Sequence, residues 1–272
     1  MLDKLSSLLR DRLRPRREWY YLGNGMGLAL THFGRKIYLP GDDAGMTPEI
    51  ILRGQWEPHV EAVLRNRLKP GMQVAEVGAS VGFHTLVMAE AVGPTGHIHS
   101  FEPYPKVLPL LRRTIATNHL GGRVTLREVA ILHEPGEVRF AADPEQTGSA
   151  HLAIAGGAAN YSDGFVAPAM RLDDALAEVP ALDLLRMDAE GTEGLVLIGA
   201  TELLARSPRL CIVLEWSPIM LQARGDVAEL AAWIEALGFR CQRIGKDGSF
   251  TPVTAAQMPG LDHCDLVLDR PA

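Results

Sequence analysis

Along most of the chain, segments with a strand-like hydrophobic pattern alternate with segments whose hydrophobic residues have a helical period. From residue 73 onward, short apolar runs typical of buried strands are separated by stretches in which apolar residues recur every three or four positions, as on one face of a helix. The predicted strands are Gln73–Val77, His97–Phe101, Arg123–Val129, Leu182–Met187, Leu210–Glu215, Phe239–Ile244 and Cys264–Leu268. The predicted helices are Thr85–Val92, Lys106–Asn118, Leu172–Glu178, Glu193–Leu204 and Val227–Leu237.

This order of elements predicts an α/β fold in which a seven-stranded, mostly parallel sheet carries helices on both faces. The connection before the last strand is short and rich in Gly and Pro, so we expect that strand to return antiparallel at an edge of the sheet. The segment Asp143–Pro168 is rich in Gly and Ala and follows neither period. A segment of this length is a lid, a binding loop or an excursion with its own hairpin, and we expect it to select the substrate.

The first part of the chain has a different organisation. Strand-like pieces at Leu28–Phe33 and Lys36–Leu39 precede a helix that starts near Pro48, and Pro70 and Gly71 mark the entry to the first strand of the large sheet. We therefore predict an N-terminal extension, residues 1–70, packed on a core domain, residues 71–272. Within its first 17 residues, five Arg follow five Leu at helical spacing. This favours a docking or dimer helix, with contact to an anionic membrane surface as the alternative.

Composition and charge narrow the class of protein. The chain of 272 residues is 47% hydrophobic and 22% charged, which is typical of a globular protein. A net charge of −6 gives no basic field for a polyanion, so we do not expect a nucleic-acid partner. The sequence has neither a membrane-spanning apolar run nor a secretory signal, which favours a cytoplasmic location. The three cysteines stand in separate apolar runs without a C-x-x-C pair, so we expect reduced core thiols.

A pair of glycines after the first predicted strand is the first indication of a binding site. Gly78 and Gly82 stand between that strand and a helix. Such a turn lets a ligand approach the backbone closely, because glycine has no Cβ and tolerates positive φ. The dinucleotide fingerprint would need glycines at Ser80 and Phe83, and the phosphate-loop motif has no match, so a pyrophosphate is not expected.

A carboxylate follows at the end of the second predicted strand. Glu102 stands twenty residues after Gly82, where an acid can accept hydrogen bonds from both hydroxyls of a ribose. Taken singly, the glycine pair is also compatible with an ordinary tight turn, and Glu102 with a solvated strand end. Together, at this spacing, they predict a pocket for a nucleoside without a pyrophosphate.

These motifs resemble those of the FkbM family of methyltransferases. The family's D-x-G-A-N-x-G motif is similar to Glu76-Val77-Gly78-Ala79-Ser80-Val81-Gly82, and its F-E-P motif to Phe101-Glu102-Pro103. Its most specific block, K-I-D-V-E-G-x-E, is similar to Arg186-Met187-Asp188-Ala189-Glu190-Gly191-Thr192-Glu193. Ser80 replaces the usual Asn and Arg186 the usual Lys. Weaker matches are Asn118, Ala130 and Leu172-Asp173-Asp174, and the likeness covers about residues 57–215.

The resemblance implies a Rossmann-like methyltransferase fold with S-adenosylmethionine as cofactor. It also implies methyl transfer to a hydroxyl of a sugar or secondary metabolite, and therefore a small-molecule or glycan acceptor. The residues expected to hold the cofactor, from the motifs and their neighbours, are Glu76, Gly78, Ala79, Ser80, Gly82, His84, Thr85, Glu102, Pro103, Ala130 and Asp188.

Methyl transfer to an alcohol also needs a group that takes the hydroxyl proton. Asp188 and Glu190 end the fourth predicted strand, at the sheet edge where ligands bind in open α/β folds, and are the first catalytic candidates. Helix capping is the alternative reading of this acidic cluster, and we assign it to Glu193. His151 is a further catalytic candidate. His84 could contact the cofactor or the acceptor, or lie at the surface.

Several points stay open at this level. Glu57, in a pair similar to an aromatic-Glu pair of the family, is compatible with a pocket wall. No metal ligands are predicted, although assistance by a divalent metal stays open, as do O-, N- or C-methylation and a homodimer. The rival functions are a non-catalytic S-adenosylmethionine-binding module and a nicotinamide-dependent oxidoreductase, which the missing G-x-G-x-x-G disfavours.

Overall fold

The computed structural model describes residues 18–143, 145–153 and 163–270. The strands are β1 (Trp19–Gly23), β2 (Met26–Leu30), β3 (Lys36–Pro40), β4 (Gln73–Val77), β5 (His97–Phe101), β6 (Val124–Arg127), β7 (Ala130–Ile131), β8 (Gly136–Asp143), β9 (Gln146–Leu152), β10 (Asp163–Met170), β11 (Leu184–Met187), β12 (Cys211–Trp216), β13 (Arg240–Ile244), β14 (Phe250–Val253) and β15 (Cys264–Asp269). The helices are α1 (Met46–Arg53), α2 (Pro58–Arg67), α3 (Phe83–Val92), α4 (Leu108–Thr117), α5 (Leu172–Ala175), α6 (Glu193–Ile198), α7 (Thr201–Arg206), α8 (Pro218–Leu221) and α9 (Val227–Ala236), with a 3₁₀ turn at Met258–Gly260.

An eight-stranded sheet with the order β14-β13-β15-β12-β11-β4-β5-β6 forms the centre of the fold. Strands β4, β5, β6, β11 and β12 pair in parallel, and β15 runs antiparallel to both β12 and β13. All seven predicted strands are present, and the predicted α/β class with a mostly parallel sheet is confirmed. The eighth strand, β14, extends the sheet at one edge.

The position predicted for the returning strand is wrong. Strand β15 is antiparallel, as expected, but it lies between β12 and β13 rather than at an edge. Its residues Leu266, Val267 and Leu268 are all fully buried, and a continuous apolar run is typical of a strand covered on both faces. The antiparallel edge is β14 instead, where Phe250 is exposed.

A second sheet, with the order β7-β10-β8-β9, contains much of the segment predicted to be irregular. Strands β8 and β9 form an antiparallel pair, and β10 returns beside β8. The rings of Phe140 and Phe165 stack at 5.0 Å, and Tyr104 stacks on Phe165 at 4.9 Å. Of the three interpretations of Asp143–Pro168, an excursion with strands of its own fits its described residues.

The N-terminal part of the described chain packs against the large sheet's helices. Strands β1–β3 form an antiparallel sheet. The backbone amide of Tyr38 donates to Thr114 Oγ1 at 3.1 Å, and Asn118 Nδ2 donates to the carbonyl of Lys36 at 2.6 Å. These bonds attach β3 to α4. The division at residue 70 stays a prediction, and the Arg-rich first 17 residues lie outside the described residues.

The helix predicted for Glu193–Leu204 is divided into α6 and α7. A Cβ at Gly199 would lie 2.1 Å from the carbonyl oxygen of Leu132, so the chain passes too close to β7 for a side chain there. Asp173 restarts the helix by accepting from the amides of Glu202 and Leu203, at 3.2 and 2.8 Å. A side chain that binds free amides at a helix start stabilises the break.

Two smaller predictions concern the cysteines and membrane helices. Cys211, Cys241 and Cys264 are all buried and free, which confirms the prediction of core thiols. Among the described helices, none combines the length and the apolar character needed to cross a bilayer.

Candidate functional site

A cavity of about 280 Å³ opens at the carboxyl ends of the central parallel strands. This is the place where open α/β sheets bind their ligands. One wall is the glycine turn between β4 and α3 (residues 78–82), and a second is the acidic turn after β11 (residues 188–193). The ends of β5 and β12, the residues around β7, strand β9, the start of α1 and the residues before α2 also line the cavity.

The glycine turn fits tightly against the neighbouring strand. Gly78 has a φ of +82°, and a Cβ at this position would lie 1.9 Å from the carbonyl oxygen of Asp188. Its amide donates to the carbonyl of Phe101 at 3.0 Å. Ser80 also lies in the left-handed region, at φ +49°, where the Asn usual in the family is better tolerated. Only glycine fits at Gly78, and its lack of a side chain lets the backbone of Asp188 lie against this turn.

Glu102 is held by backbone amides from both sides. Its Oε2 accepts from the amide of Ser80 at 2.7 Å, and its Oε1 accepts from the amide of Tyr104 at 2.8 Å. Burial raises the pKa of Glu102 to about 7, against the opposing effect of these two amide bonds. An ionised carboxylate has further lone pairs on each oxygen, so Glu102 can still accept bonds from a ligand in the cavity.

A buried arginine connects the glycine turn with the acidic turn. Arg186 Nη1 donates to the carbonyl of Gly78 at 2.8 Å, and its Nη2 donates to Asp188 Oδ2 at 2.7 Å. Burial alone would lower the pKa of Arg186, but the nearby carboxylates of Asp188, Glu76 and Glu57 outweigh it and raise the value. Asp188, whose side chain is 25% exposed, is therefore oriented by a fixed positive charge.

Further carboxyl groups surround Asp188. Burial first, and then the charge of Asp188, raises the pKa of Glu190 to about 9, of Glu57 to about 8 and of Glu215 to about 11. One oxygen each of Asp188, Glu190 and Glu215 lies within 4.8 Å of the other two. Three carboxylates at this separation have the chemistry of a site for a hard divalent cation. In the absence of an added positive charge, Glu57, Glu190 and Glu215 are therefore mostly protonated at neutral pH.

His84 lies in the first turn of α3 and is only 4% exposed. Among the described residues, its Nε2 has no hydrogen-bond partner and lies 3.9 Å from Glu57 Oε2. Burial, and then the charges of Arg186 and His59, lower its pKa well below the ordinary value. His84 is thus a neutral imidazole at the cavity wall.

Asp43 fastens the strand that covers the cavity. Its Oδ1 accepts from the amide and the hydroxyl of Thr147, both at 2.9 Å, and its Oδ2 accepts from the amide of Thr47 at 2.6 Å. The amide of Ala44 also donates to the carbonyl of Glu145 at 2.7 Å. The start of α1 and the start of β9 are therefore joined over the cavity.

Most residues predicted from the sequence meet at this cavity. Its lining includes Gly78, Ala79, Ser80, His84, Glu102, Pro103, Ala130, Asp188 and Glu190. Glu76 and Thr85 lie beneath it, since both are fully buried and bonded to each other at 2.5 Å. A Cβ at Gly82 would meet Leu111 at 2.7 Å, which indicates close packing of α4 there. His151 is half-buried on β9 and is not among the described lining residues; its Nδ1 lies 2.9 Å from the carbonyl oxygen of Ser149.

Sequence reasoning missed Asp43 and Glu215 and left Glu57 as a wall residue. Glu215 stands at the end of a predicted strand, which was the one available signal, because the carboxyl ends of parallel strands share an edge. Asp43 precedes the core and gave no signal, and Glu57 was marked only by its likeness to the family's aromatic-Glu pair. Glu193, assigned to capping, accepts from the amide of Ala189 at 2.8 Å and so closes the acidic turn.

Comparison with known proteins gives a family match over most of the core. The family profile described as the methyltransferase FkbM domain matches residues 76–241. A protein-L-isoaspartate O-methyltransferase of Methanothrix thermoacetophila is 34% identical over 103 residues, covering 35% of this chain and 49% of that protein. The enzyme of the same name from Hyperthermus butylicus is 34% identical over 134 residues, covering 43% and 56%.

The chain spans about half the length of these curated relatives. Among solved structures, an O-methyltransferase from Bacillus cereus in complex with SAH is 14% identical. That match covers 85% of this chain and 83% of the other, with a TM-score of 0.45.

Proposed function

The chain belongs to the FkbM family of methyltransferases, and from this premise we propose that it moves a methyl group from S-adenosylmethionine to a hydroxyl group of a small-molecule or glycan acceptor. The match over residues 76–241 confirms the expected family and its cofactor, S-adenosylmethionine. The acceptor, a sugar or a secondary metabolite, is the part that we propose.

The paired turns at Gly78 and Glu102 carry the proposal. Gly78 lines the cavity, and the buried Glu102 carboxylate is aligned beside it by two amides. Both features suit a ribose, whose hydroxyls donate to a carboxylate, without any provision for a pyrophosphate. When bound, S-adenosylmethionine supplies an electrophilic methyl group on a positively charged sulfur.

The proposed roles of the remaining residues follow from their positions. Ala130 and Pro103 provide small apolar surface beside Glu102, suited to the adenine base. Asp188, oriented by its hydrogen bond from Arg186, suits the methionine ammonium group, and taking the acceptor proton is the second role open to it. Asp188 and Glu190 are our catalytic candidates at the acceptor side. Glu76 and Thr85 support the glycine turn from below.

The charge of the lining favours a neutral acceptor. Glu57, Glu102, Asp188, Glu190 and Glu215 face the cavity, and among the described lining residues Arg186 provides the guanidinium that offsets them. An anionic acceptor would add a further negative charge to a set of carboxyl groups whose pKa values burial and mutual repulsion already raise, which costs free energy. A hydroxyl acceptor carries no such cost.

Methylation of protein isoaspartate is the second candidate, and the names of the curated relatives favour it. An isoaspartyl side group is a carboxylate, which the acidic lining disfavours. The two candidates therefore differ in the charge of the acceptor. A non-catalytic binding module is the third alternative and predicts no transfer at all.

A labelling experiment distinguishes these functions. The protein is incubated with S-adenosylmethionine carrying a trideuterated methyl group, either with a small-molecule extract of the source cells or with an isoaspartyl peptide. We expect labelled methyl ethers in the extract, and much less label at limiting cofactor when Glu102→Ala protein is used. Label in the peptide alone would establish carboxyl methylation instead, and cofactor binding without label in either would indicate a binding module.

A further inference from the structure

Glu57 enters the cavity from the segment that precedes the family-profile match, where its likeness to the family is confined to the aromatic-Glu pair. The match begins at residue 76, whereas Glu57 is the N-cap residue of α2. Its φ of +44° lies in the left-handed region, which is uncommon for a residue with a side chain. Its carboxylate reaches the cavity beside Trp56 and opposite the acidic turn.

The surroundings of Glu57 combine burial with an incomplete set of partners. Its side chain is 23% exposed, and its Oε2 lies 3.8 Å from Arg186 Nη2 and 3.9 Å from His84 Nε2. Both distances exceed a hydrogen bond, and among the described residues the His84 nitrogen has no other partner. The carboxylate thus faces two nitrogens, each at a distance longer than a hydrogen bond.

We infer that Glu57 takes the proton of the acceptor hydroxyl, with His84 and Arg186 as its positioning residues. The inference rests on the proposed function and adds the base to it. The acceptor oxygen forms its new bond to the methyl carbon, whose bond to sulfur breaks and leaves the electron pair on sulfur. The hydroxyl proton passes to the Glu57 carboxylate and then to water, so charge and atoms balance.

The other carboxylates of the cavity are less suited to this role. Asp188 Oδ2 already accepts a hydrogen bond from Arg186 at 2.7 Å, so this oxygen is occupied by a donor. Glu190 and Glu215 lie in the cluster of three oxygens, where mutual repulsion keeps protons bound. Only a deprotonated group can accept a proton. Glu57 is not part of that group of three oxygens, and its pKa is raised only to about 8, against about 9 for Glu190 and about 11 for Glu215, so it loses its proton first.

The electrostatics of Glu57 agree with a base that works near neutral pH. Burial and the charge of Asp188 raise its pKa to about 8, while Arg186 opposes them. Asp265 acts in the same direction as Asp188, and Lys246 acts with Arg186. A bound positively charged cofactor would lower the value further toward neutrality. General bases are most effective when their pKa lies near the working pH.

The test compares Glu57→Gln with a matched control, Glu49→Gln, on α1 of the same N-terminal region. Glu49 forms a solvent-exposed pair with Arg53, away from the cavity lining. The first readout needs no cofactor: infrared titration of the carboxyl band. We expect a component that titrates near pH 8 in the parent and the control and is missing in Glu57→Gln.

The second readout is methyl transfer to the extract as a function of pH. We expect the parent rate to rise with pH to a plateau, and Glu57→Gln to lose about 10²–10⁴ in rate together with that rise. Calorimetry should give a cofactor affinity near the parent value, which also establishes that the variant is folded. Glu57→Asp keeps the charge on a shorter side chain and should recover part of the rate.

Two results would overturn the inference while leaving the proposed function intact. One is a Glu57→Gln protein that transfers methyl groups at the parent rate. The other is a variant whose rate is reduced equally at every pH and whose infrared titration matches that of the parent. If Glu57→Gln does not fold, Glu57→Asp is used instead. An unchanged pH profile and an unchanged infrared titration of that variant would equally overturn the inference. Failure of the parent itself to bind S-adenosylmethionine would instead reject the proposed function.

Discussion

Replacing Gly78 by alanine perturbs the contact on which the cavity is built. At φ +82°, a residue with a Cβ costs about 1–2 kcal/mol relative to glycine. In addition, the new Cβ would lie 1.9 Å from the carbonyl oxygen of Asp188, whereas real Cβ contacts are essentially never closer than 3.0 Å. The acidic turn must therefore move by about 1 Å. Overpacking of this kind costs a further ~1–3 kcal/mol.

Gly248→Ala separates the two contributions. Gly248 has nearly the same φ, +83°, but a Cβ there meets no atom within 4 Å. We expect chemical denaturation to show a loss of about 1–2 kcal/mol in the free energy of unfolding for Gly248→Ala and about 2–5 kcal/mol for Gly78→Ala.

Calorimetry then tests the functional part of the argument. S-adenosylmethionine should bind Gly248→Ala like the parent and bind folded Gly78→Ala much more weakly, because the displaced turn carries Asp188. Equal destabilisation of the two variants, or normal cofactor binding by Gly78→Ala, would refute the reasoning.

Four further predictions follow from the same geometry. Glu102→Ala should weaken S-adenosylmethionine binding by about 1.5–3 kcal/mol, the scale of hydrogen bonds to a charged group; a calorimetric affinity within about twofold of the parent value, or about 0.4 kcal/mol, would reject the ribose assignment. Asp188→Asn should weaken cofactor binding more than turnover at saturating cofactor, whereas unchanged affinity with lost turnover would make Asp188 the base. Asp43→Ala should speed hydrogen exchange at Thr147 and slow turnover with little change in cofactor affinity; unchanged exchange would contradict an anchoring role. Burial raises the pKa values of Glu76 and Glu102 to about 7 in the folded protein, above their values in the unfolded chain. The stability that their neutral forms contribute to folding is therefore fully present below the unfolded-state pKa values and is lost as the pH rises through about 7. Without cofactor, the unfolding temperature should fall between about pH 5 and pH 8, and a rise would contradict the burial argument.

The large sheet could be predicted because its strands are bounded by strong local signals. The predicted ranges Gln73–Val77 and His97–Phe101 coincide with β4 and β5. Gly78 directly follows β4, and Pro103 stands two residues after the end of β5. The edge position expected for β15 was wrong because strand order depends on packing between distant parts of the chain, which a local pattern does not contain.

The second sheet was harder to predict for a local reason. Pro168 stands inside β10, and a proline within an apolar run argues against a strand because it lacks the N–H of the ladder. Strand β7 pairs only with Ala169 and Met170, so most of that side of β10 is unpaired within the described sheet. Proline is tolerated on such an edge.

The cavity residues that belong to the sequence motifs could be predicted. Those that reach the cavity through the packing of distant segments could not. Gly78, Glu102 and Asp188 stand at the carboxyl ends of parallel strands, whose shared edge is predictable. Glu57 and Asp43 come from the N-terminal region, more than a hundred residues from the acidic turn. Their position depends on how that region packs over the sheet, and no spacing in the sequence encodes it.

A crystal structure of the protein with bound S-adenosylhomocysteine would test the central claim most directly. We predict both ribose hydroxyls within hydrogen-bond distance of Glu102, the base beside Ala130 and Pro103, and the amino-acid end beside Asp188. Density for the ligand elsewhere would contradict the account. The alternative that the structure offers is the apolar cavity between α6 and α9, lined by Leu195, Leu230 and Trp233. A ribose bound there, with Glu102 free of contacts to it, would show that the glycine turn is not the cofactor site.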